Sequence, residues 1–361
     1  MDLDALRGKI DELDAKLVGL LNERATVVFD IGRLKADSGE PIYAPARERE
    51  VFDRIRAAND GPLHDETLIA IWRELMSGSF RLERPLRIAY LGPPGTFSHV
   101  AAMRKFGASV EYIPVKDITS VFEEVSRDHA DYGIAPIENS TGGSITDTLA
   151  CFQHTSARVC GEVLVAVHQN LLANCRLGEV SKIFSKPQVF NQCRRWLNRN
   201  FQQMHLEPVS STAEGAAMAA KTANAAAIGS TLAGELHGLK VVCENIEDNP
   251  QNTTRFFVIG RHSAKPTGED KTGLMFIVAN RSGALVEVLE VFRRHGVNLT
   301  QLESHPVGSR NWEYFFFADA EGHADDEAMA AALKEAAEHC SQLRVLGSYP
   351  RALPAETPAG G

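Results

Sequence analysis

Three cations lie on an apolar stripe near the start of the chain. Aliphatic residues recur there in steps of three, four and seven, as on one face of a helix. These residues are Leu3, Ile10, Leu17, Leu21, Val28 and Ile31. The same stripe includes Arg7, Arg24 and Lys35. Because burying an unpaired charge costs several kcal/mol, we expect these cations to hold a small, multiply charged anion.

Four more polar residues from the following segments extend this candidate site. Arg47 and Glu48 are adjacent, whereas Ser79 and Glu83 are four residues apart and so share one helix face. An ordinary salt bridge on a solvated seam is the alternative for any one of these residues. It explains the whole set of cations, carboxylates and a hydroxyl less well than a bound anion does.

The segment that carries these residues, 1 to about 84, is predicted to be entirely helical. A first helix runs to about Asp37, a second follows Pro45, and a third covers about Asp65–Glu83, with Gly and Pro between them. The first helix would span about 50 Å, more than the two shorter helices can cover. We therefore expect it to pair with a second copy in a dimeric helical bundle, giving a homodimer or a higher oligomer.

This segment resembles the all-helical chorismate mutase family. The positions that match that family's substrate-binding residues are Arg7, Arg24, Lys35, Arg47, Glu48, Ser79 and Glu83. The resemblance implies that Arg7 is contributed by the partner chain. Two positions depart from the pattern: Ala44 stands where some members carry an aspartate, and Glu83 where some carry a glutamine.

The implied reaction is the rearrangement of chorismate to prephenate, which requires no nucleophile. The enzyme must hold the folded substrate and stabilise charge on its ether oxygen. Arginines suit the two carboxylates, and Lys35 and Glu83 are the predicted partners of the ether oxygen. Because Glu83 donates a hydrogen bond only when protonated, mutase activity should fall as the pH rises through its titration, and Glu83→Gln should remove that dependence.

Composition limits the class of protein. The chain has 361 residues, a net charge of -9 and 44% hydrophobic residues, which predicts two or three globular domains and argues against nucleic-acid binding. No CxxC pair or metal-ligand spacing occurs, so we expect no metal and no cofactor. The acidic N-terminus and the lack of a long apolar run predict a cytoplasmic protein without a membrane segment.

After Pro85 the pattern changes to alternating strands and helices, which predicts an α/β domain of two lobes with a cleft. The predicted strands are Leu86–Leu91, Val110–Val115, Tyr132–Pro136, Glu162–Val167, Lys182–Phe184, Ala226–Ile228, Val241–Cys243 and Phe256–Ile259. Four polar turns adjoin these strands and should line one cleft. They are Gly92–His99, Pro136–Ser144, Ser185–Gln192 and Asn252–Phe256.

Together these turns resemble the prephenate dehydratase family, through the Thr254-Arg255-Phe256 triplet and the Pro136-Ile-Glu-Asn139 run. The resemblance implies a fold like type 2 periplasmic binding proteins, with Thr254 the residue most tied to catalysis and Glu138 its candidate proton source. The implied substrate-binding residues are Thr96, Ser98, Glu138, Asn139, Ser140, Thr141, Ser185, Gln192, Thr254, Arg255 and Phe256.

The implied reaction converts prephenate to phenylpyruvate with loss of the ring hydroxyl and the ring carboxylate. Thr254 could donate a hydrogen bond to the leaving hydroxyl, either relaying a proton from Glu138 or only polarising the bond. Arg255 could anchor a carboxylate, and a salt bridge at the strand is its alternative role.

The last segment has strand, helix, strand, strand, helix, strand order, which predicts a ferredoxin-like βαββαβ unit. It resembles the ACT regulatory domain, in which two stretches bind phenylalanine across a dimer interface. The residues implied here are Gly283, Ala284, Leu285, Val286, Asn298, Glu303 and Ser304. His305 replaces the more usual arginine.

The predicted domains are 1–84, 85–262 and 272–350, followed by a flexible tail, 351–361. The resemblances imply an enzyme that converts chorismate to prephenate and then to phenylpyruvate and is inhibited by L-phenylalanine. One alternative is a dehydratase whose helical domain serves only dimerisation or regulation, supported by Ala44 alone. Another is a non-catalytic binding protein, against which the intact Thr254-Arg255-Phe256 triplet argues.

Overall fold

A computed structural model describes residues 2–38, 41–201, 204–306 and 314–353. It divides into two compact units. The first is Met1–Ala44, Glu50–Leu86 and Phe106–Glu111, and the second is Pro45–Arg49, Arg87–Lys105 and Tyr112–Gly361. Within the described ranges, no helix is both long and apolar enough to cross a membrane.

Three helices form most of the first unit, as predicted. They are α1 (Leu3–Ser38), α2 (Pro45–Ala58) and α3 (Asp65–Glu83). Acidic residues in the first turn of α3 and Arg81 in its last turn complement the helix dipole. The first turn of α2, with Pro45 at its start, belongs to the second unit.

The apolar stripe of α1 remains exposed in the single chain, although α1 packs against α3. Leu3, Ile10 and Leu17 are 63%, 56% and 54% exposed. A continuous apolar surface of this length is unusual on a monomer and marks an interaction surface. The predicted pairing of α1 with a second copy stays a prediction.

Two sheets with flanking helices follow, between residues 87 and 260. In chain order the elements are β1 (Arg87–Leu91), α4 (Phe97–Phe106), β2 (Glu111–Val115), α5 (Ile118–Ser126), β3 (Tyr132–Asn139), β4 (Gly143–Ser144), α6 (Thr146–Cys151), β5 (Arg158–Ala166), β6 (Asn170–Ala173), a 3-10 turn (Leu177–Glu179), β7 (Lys182–Ser185), α7 (Pro187–Gln192), α8 (Arg194–Asn200), β8 (His205–Pro208), α9 (Thr212–Lys221), β9 (Ala225–Gly229), α10 (Thr231–His237), β10 (Lys240–Cys243) and β11 (Thr253–Gly260).

The two sheets define two lobes, as predicted. The first has the order β2-β1-β3-β11-β5, with β4 paired to β3, and the second has the order β10-β6-β9-β7-β8. The chain passes between them twice, at 167–169 and 244–252, and residues of the two passages are hydrogen-bonded to each other, as by Val167 N–H to the Asn252 carbonyl at 2.7 Å. The return through the second passage places β11 between β3 and β5 of the first sheet, antiparallel to both neighbours.

The C-terminal segment is the predicted antiparallel βαββαβ unit, with strand order β13-β14-β12-β15. Its elements are β12 (Asp270–Ile277), α11 (Ala284–Arg294), β13 (Leu299–Pro306), β14 (Tyr314–Glu321), α12 (Glu327–His339) and β15 (Gln342–Pro350). Alternate residues face opposite sides: Leu274 and Phe276 pack on the helices, whereas Met275 joins a core with Phe257 of the first sheet. Both faces of the C-terminal sheet are therefore covered.

Three strands were absent from the prediction: β4, β6 and β8. The predicted strand at Glu162 begins earlier, at Arg158. The predicted flexible tail also needs a correction at its start, since Ala352 N–H donates to Glu162 Oε1 at 2.8 Å. Residues 354–361 of that tail lie outside the described residues.

Candidate active sites

A cleft of about 990 Å³ lies between the two lobes of the second unit. Both lobes supply its walls, chiefly through polar side chains at strand ends and helix starts. Of the residues predicted from sequence, those that line it are Thr96, Ser98, Asn139, Gln192, Thr254 and Phe256. Six of the eleven predicted dehydratase residues are thus brought together at one cleft.

Thr254 is held at the wall of the cleft by an amide. Asn139 Nδ2 donates to Thr254 Oγ1 at 2.8 Å and to Asn252 Oδ1 at 2.7 Å. The side-chain oxygen Oδ1 of Asn139 accepts from the backbone N–H groups of Thr141 and Gly142, at 3.1 and 2.9 Å, which fixes the orientation of the side-chain amide. Because Thr254 accepts from Asn139, its own hydroxyl hydrogen can donate to another group.

The first polar turn is fixed by a neutral histidine. His99 Nδ1 accepts from Gly95 N–H at 3.2 Å, and its ring stacks on Tyr90 at a centroid distance of 4.6 Å. Burial lowers the pKa of His99, which keeps this nitrogen unprotonated as an acceptor. Gly95 has a φ of +91°, a conformation that favours glycine. The turn brings Thr96 and Ser98 to the cleft.

The second lobe and the passage at 167–169 contribute residues that sequence reasoning missed. Gln169 Nε2 lies 3.4 Å from Gln192 Oε1, which directs the Gln192 amide, and Gln169 Oε1 is a buried atom without a hydrogen-bond partner in the described structure. Lys186 and the start of α9, Ser210–Thr212, also line the cleft. Lys186 and Gln188 lie inside the predicted polar turn Ser185–Gln192, so their proximity to Gln192 was the available signal.

Five predicted residues do not line the cleft: Glu138, Ser140, Thr141, Ser185 and Arg255. Ser185 is fully buried in the second lobe, where its hydroxyl donates to the Ile228 carbonyl at 2.8 Å. It secures the strand β7 to its neighbour β9, and its predicted contact with substrate needs this correction.

Arg255 points to the opposite side of the sheet from Thr254. Successive residues of a strand alternate between faces, so Thr254 and Phe256 face the cleft and Arg255 does not. Its guanidinium lies 2.6 Å from Glu162 Oε2 and 2.5 Å from Asp319 Oδ2, in a buried cluster. The salt-bridge alternative therefore describes Arg255 better than the predicted carboxylate anchor.

Glu138 shares the face of Arg255. The two residues are opposite each other across the β3–β11 ladder, whereas Thr254 is opposite Asn139. Glu138 is not among the residues lining the cleft. A direct proton relay from Glu138 to Thr254 is therefore not supported by this geometry.

Ser140 and Thr141 shape the loop beside Thr254. Ser140 Oγ donates to the Gln251 carbonyl at 3.1 Å and accepts from Thr253 N–H at 2.9 Å. Thr141 Oγ1 donates to Asn139 Oδ1 at 2.7 Å. Both residues hold the Asn139 loop against β11, and their predicted contact with substrate stays a prediction.

In the first unit, two of the predicted mutase residues meet. Arg24 Nη1 donates to Ser79 Oγ at 3.0 Å, across α1 and α3, and Ser79 is 9% exposed. Lys35 Nζ donates to the Ile42 carbonyl at 2.9 Å. The anion site predicted from these residues stays a prediction.

Arg7 lies far along α1 from this pair. Its side chain is 67% exposed and is 3.4 Å from Asp4. Seventeen residues separate Arg7 from Arg24, which is about 25 Å of helix. A small substrate at Arg24 could not reach Arg7 of the same chain, in keeping with the predicted contribution from a partner.

The remaining predicted mutase residues lie on α2 and at the end of α3. Arg47 and Glu48 lie in the first turn of α2, in the second unit, where Glu48 Oε2 is 2.6 Å from Lys105 Nζ. Glu83 ends α3, and its side chain lies outside the described residues. The substrate contacts predicted for these residues stay predictions.

The seven residues predicted to bind phenylalanine lie at the start of α11 and on or next to β13. Gly283, with a φ of +82°, precedes α11, followed by buried Ala284, partly buried Leu285 and exposed Val286. Exposed Ser304 lies on β13.

The other two of these residues are engaged within the chain. Asn298 Nδ2 donates to Glu321 Oε2 at 3.0 Å. The Glu303 carboxylate accepts from Gln301 Nε2 at 2.6 Å and from the Ser144 hydroxyl, and its Oε2 lies 3.1 Å from His305 Nε2. Burial raises the pKa of Glu303, but the hydrogen bonds from these neighbours lower it below its ordinary value.

Comparison with known proteins connects these sites to families. Family models match in succession: chorismate mutase type II at residues 6–84, prephenate dehydratase at 88–264 and the ACT domain at 272–338. A bifunctional chorismate mutase/prephenate dehydratase of Aquifex aeolicus is 41% identical, over 98% of this chain and 99% of its own length. The chain belongs to the bifunctional chorismate mutase/prephenate dehydratase family.

Other members of this family cover the chain equally well. The protein of that name from Neisseria gonorrhoeae is 42% identical over 96% of both chains, and that from Escherichia coli K12 is 34% identical over 96% of this chain and 95% of its own length. The full order of domains is therefore that of the family.

Solved structures match the region after the helices. A prephenate dehydratase of Arthrobacter aurescens in complex with L-Phe is 35% identical, with a TM-score of 0.68 over 74% of this chain and 90% of that one. A protein described as a quorum-quenching acylase, GqqA, is 29% identical, with a TM-score of 0.69 over 74% of this chain and 98% of that one. The fold of the dehydratase and ACT segments is thus shared with both.

Proposed function

We propose that this protein rearranges chorismate to prephenate and then converts prephenate to phenylpyruvate. The observation that carries the proposal is the Asn139–Thr254 hydrogen bond at the wall of the cleft, made by the two residues of the dehydratase signatures that face it. The same chain carries the helical segment that belongs to the mutase family. The product of one site is the substrate of the other, which explains their fusion.

At the mutase site, the protein binds and folds chorismate. Arg24, paired with Ser79, holds one carboxylate, and Arg7 of a second copy holds the other. Lys35 donates to the ether oxygen, on which negative charge develops as the carbon–oxygen bond breaks. The exposed apolar stripe of α1 supports a homodimer that would bring these residues together.

At the dehydratase site, Thr254 donates to the departing ring hydroxyl. The carbon–carbon bond to the ring carboxylate breaks and releases carbon dioxide, its electron pair enters the ring, and the carbon–oxygen bond breaks. The departing oxygen takes one proton from solvent and leaves as water, and the Thr254 hydrogen bond stabilises the negative charge that develops on it in the transition state. Asn139 keeps the Thr254 hydrogen directed at the substrate.

At the ACT domain, L-phenylalanine inhibits the dehydratase. The related Arthrobacter protein was solved in complex with L-Phe, and Gly283–Val286 here opens a helix whose N-terminus attracts a carboxylate. The inhibitor acts by binding a less active state more tightly than the active one.

The test is to mix the protein with chorismate, without added cofactor, and to follow prephenate and phenylpyruvate with and without phenylalanine. Transient prephenate followed by phenylpyruvate, slowed by phenylalanine, is the expected result. If chorismate stays unchanged while added prephenate is converted, the helical segment is a dimerisation module and the mutase assignment is wrong. If neither is converted, the enzyme assignment fails.

A further inference from the structure

The guanidinium of Arg255 is enclosed by partners from two parts of the second unit. Nε donates to Glu162 Oε2 at 2.6 Å, on strand β5 beside it. The other partners belong to the C-terminal sheet: Gln301 Oε1 at 3.1 Å, the Tyr349 hydroxyl at 3.0 Å and Asp319 Oδ2 at 2.5 Å. We call these five residues the Arg255 network.

Four of the five residues in the Arg255 network are excluded from solvent, and Gln301 is partly buried. The side chains of Arg255, Glu162 and Asp319 are 9%, 1% and 0% exposed, and Tyr349 is fully buried. Burial raises the pKa of Glu162, but Arg255 and Lys271 lower it below its ordinary value, so this carboxylate is charged. A buried charge that loses its partner cannot be rescued by water, so each member is strongly constrained by the others.

This constraint acts on the strand that carries the catalytic hydroxyl. Arg255 stands between Thr254 and Phe256, and both of these line the cleft. Holding the Arg255 side chain on one face of β11 therefore fixes the rotation of the strand and the direction of the Thr254 hydroxyl on the other face. A displacement of about 1 Å at a reacting group can cost about a hundredfold in rate.

A second connection runs from the Arg255 network to the cleft. Gln301, which accepts from Arg255, donates through Nε2 to Glu303 Oε1 at 2.6 Å. Glu303 accepts from the hydroxyl of Ser144, and Ser144 also lines the cleft. The C-terminal sheet thus contacts the cleft wall at both β11 and β4.

We propose that Asp319, Tyr349 and Gln301 are positioning residues of the dehydratase, acting through Arg255, so that the ACT sheet is part of the structure that aligns Thr254. This inference rests on the proposed dehydratase function. It assigns the three side chains a role in the rate of the chemical step rather than in substrate binding, because none of them lines the cleft.

The test compares three variants of the full-length protein in which the new side chain has nearly the same size and shape as the old one. These are Asp319→Asn, Tyr349→Phe and Gln301→Met. The matched control is Arg344→Met. Arg344 also joins the C-terminal sheet to the dehydratase segment, through the Phe152 carbonyl at 2.7 Å, but its contacts are with the end of α6 and the following turn and not with β11. For each protein, kcat and KM for prephenate and the mutase kcat for chorismate are measured.

We expect the three variants to lower the dehydratase kcat by about tenfold or more, with KM changed less than about threefold and mutase kcat unchanged. Arg344→Met should keep the dehydratase kcat within about twofold of the unmodified protein. If Asp319→Asn does not fold, Tyr349→Phe, which removes one hydroxyl, decides the question.

An unchanged kcat in Tyr349→Phe and Gln301→Met would overturn the inference, as would an equal loss in Arg344→Met, since the effect would then be one of general domain contact. A rise in KM at constant kcat would also overturn it. Absence of prephenate turnover in the unmodified protein would instead reject the proposed function, so the two failures are distinguishable.

Discussion

At the residue scale, the direction of the Thr254 hydroxyl depends on which atoms of Asn139 face it. Replacing the amide by a carboxylate in Asn139→Asp exchanges a donor for an acceptor at 2.8 Å from Thr254 Oγ1. The hydroxyl hydrogen should then turn toward Asp and away from the substrate. We expect the dehydratase kcat to fall about a hundredfold, the size of effect seen when a transition-state donor is removed.

The control for this prediction is Thr141→Val, which removes a hydroxyl donor to Asn139 and keeps the side-chain volume. Because the backbone N–H groups of Thr141 and Gly142 still hold the Asn139 carbonyl, its effect should be small. Mutase activity measured on the same samples reports folding. An Asn139→Asp protein with normal kcat would contradict the proposed role of Thr254 as donor.

Glu162 offers a residue-scale prediction about pH. Its pKa is below the ordinary value of 4.5 in the folded protein, so it stabilises the fold above pH 4.5 and loses that contribution as the pH falls through the folded-state pKa. Glu162→Gln leaves Arg255 with less negative charge and should cost about 3 kcal/mol near neutral pH.

The measurement is denaturant unfolding of both proteins from pH 7 down to pH 3. The difference in the free energy of unfolding should be constant above pH 4.5 and shrink below it. A difference that grows on acidification would mean that the Glu162 pKa is raised by burial and that Arg255 does not hold it charged.

At the element scale, successive side chains of β11 face opposite sides of the sheet. In the Thr254-Arg255-Phe256 triplet, Thr254 and Phe256 face the cleft and Arg255 does not. The sequence predicted a polar turn over Asn252–Phe256 and a strand from Phe256, whereas β11 already begins at Thr253. It therefore did not show which residues of the triplet face the cleft. Both faces of this interior strand are buried, so no apolar–polar alternation marks one face as the outside. The partners of Arg255 lie far away in the chain, at Glu162, Asp319 and Tyr349, and only the folded chain brings them together.

The same limit applies to the missed strands. β8 (His205–Pro208) is polar and lies at the edge of its sheet, and β6 (Asn170–Ala173) directly follows the passage between lobes. Neither has the alternation or flanking turns that identify a strand from sequence. The helices of the first unit and the βαββαβ segment were predictable because their periodicity is long and regular.

The contact between β15 and β5 gives a prediction at this scale. A Cβ on Gly347 would collide with the backbone carbonyl of Val159, so this glycine permits the close approach of the C-terminal sheet to the first sheet. Gly347→Ala should lower the free energy of unfolding by about 1–3 kcal/mol, the usual cost of overpacking.

The matched control is Gly178→Ala, where a Cβ would meet no atom within 4 Å. Thermal unfolding of the two variants should show a loss only for Gly347→Ala. Equal stability of the two proteins would mean that β15 and β5 separate readily, and would weaken the argument that the C-terminal sheet holds β11.

At the scale of the whole molecule, the three families could be recognised from sequence because the signature of each is a short local motif. The sequence pattern alone does not identify the partner that covers α1. The apolar stripe is exposed along most of α1, and Arg7 is about 25 Å of helix from Arg24. A helix that leaves so much apolar surface uncovered, with one cation of its predicted site out of reach, is consistent with a mutase site shared between two chains.

Complementation tests that arrangement. Arg7→Ala and Arg24→Ala should each abolish most mutase activity, because each removes a carboxylate contact from every site. If Arg7 acts in the partner's site, mixed dimers contain one site with both lesions and one intact site. After subunit exchange of equal amounts, about a quarter of all sites should be intact and mutase activity should return to that level.

Dehydratase activity, measured on each variant and on the mixture, should be normal throughout and reports that the chains are folded. If the mixture stays inactive although exchange is demonstrated with labelled chains, Arg7 and Arg24 serve the same chain's site, and the exposed stripe of α1 has some role other than building the mutase.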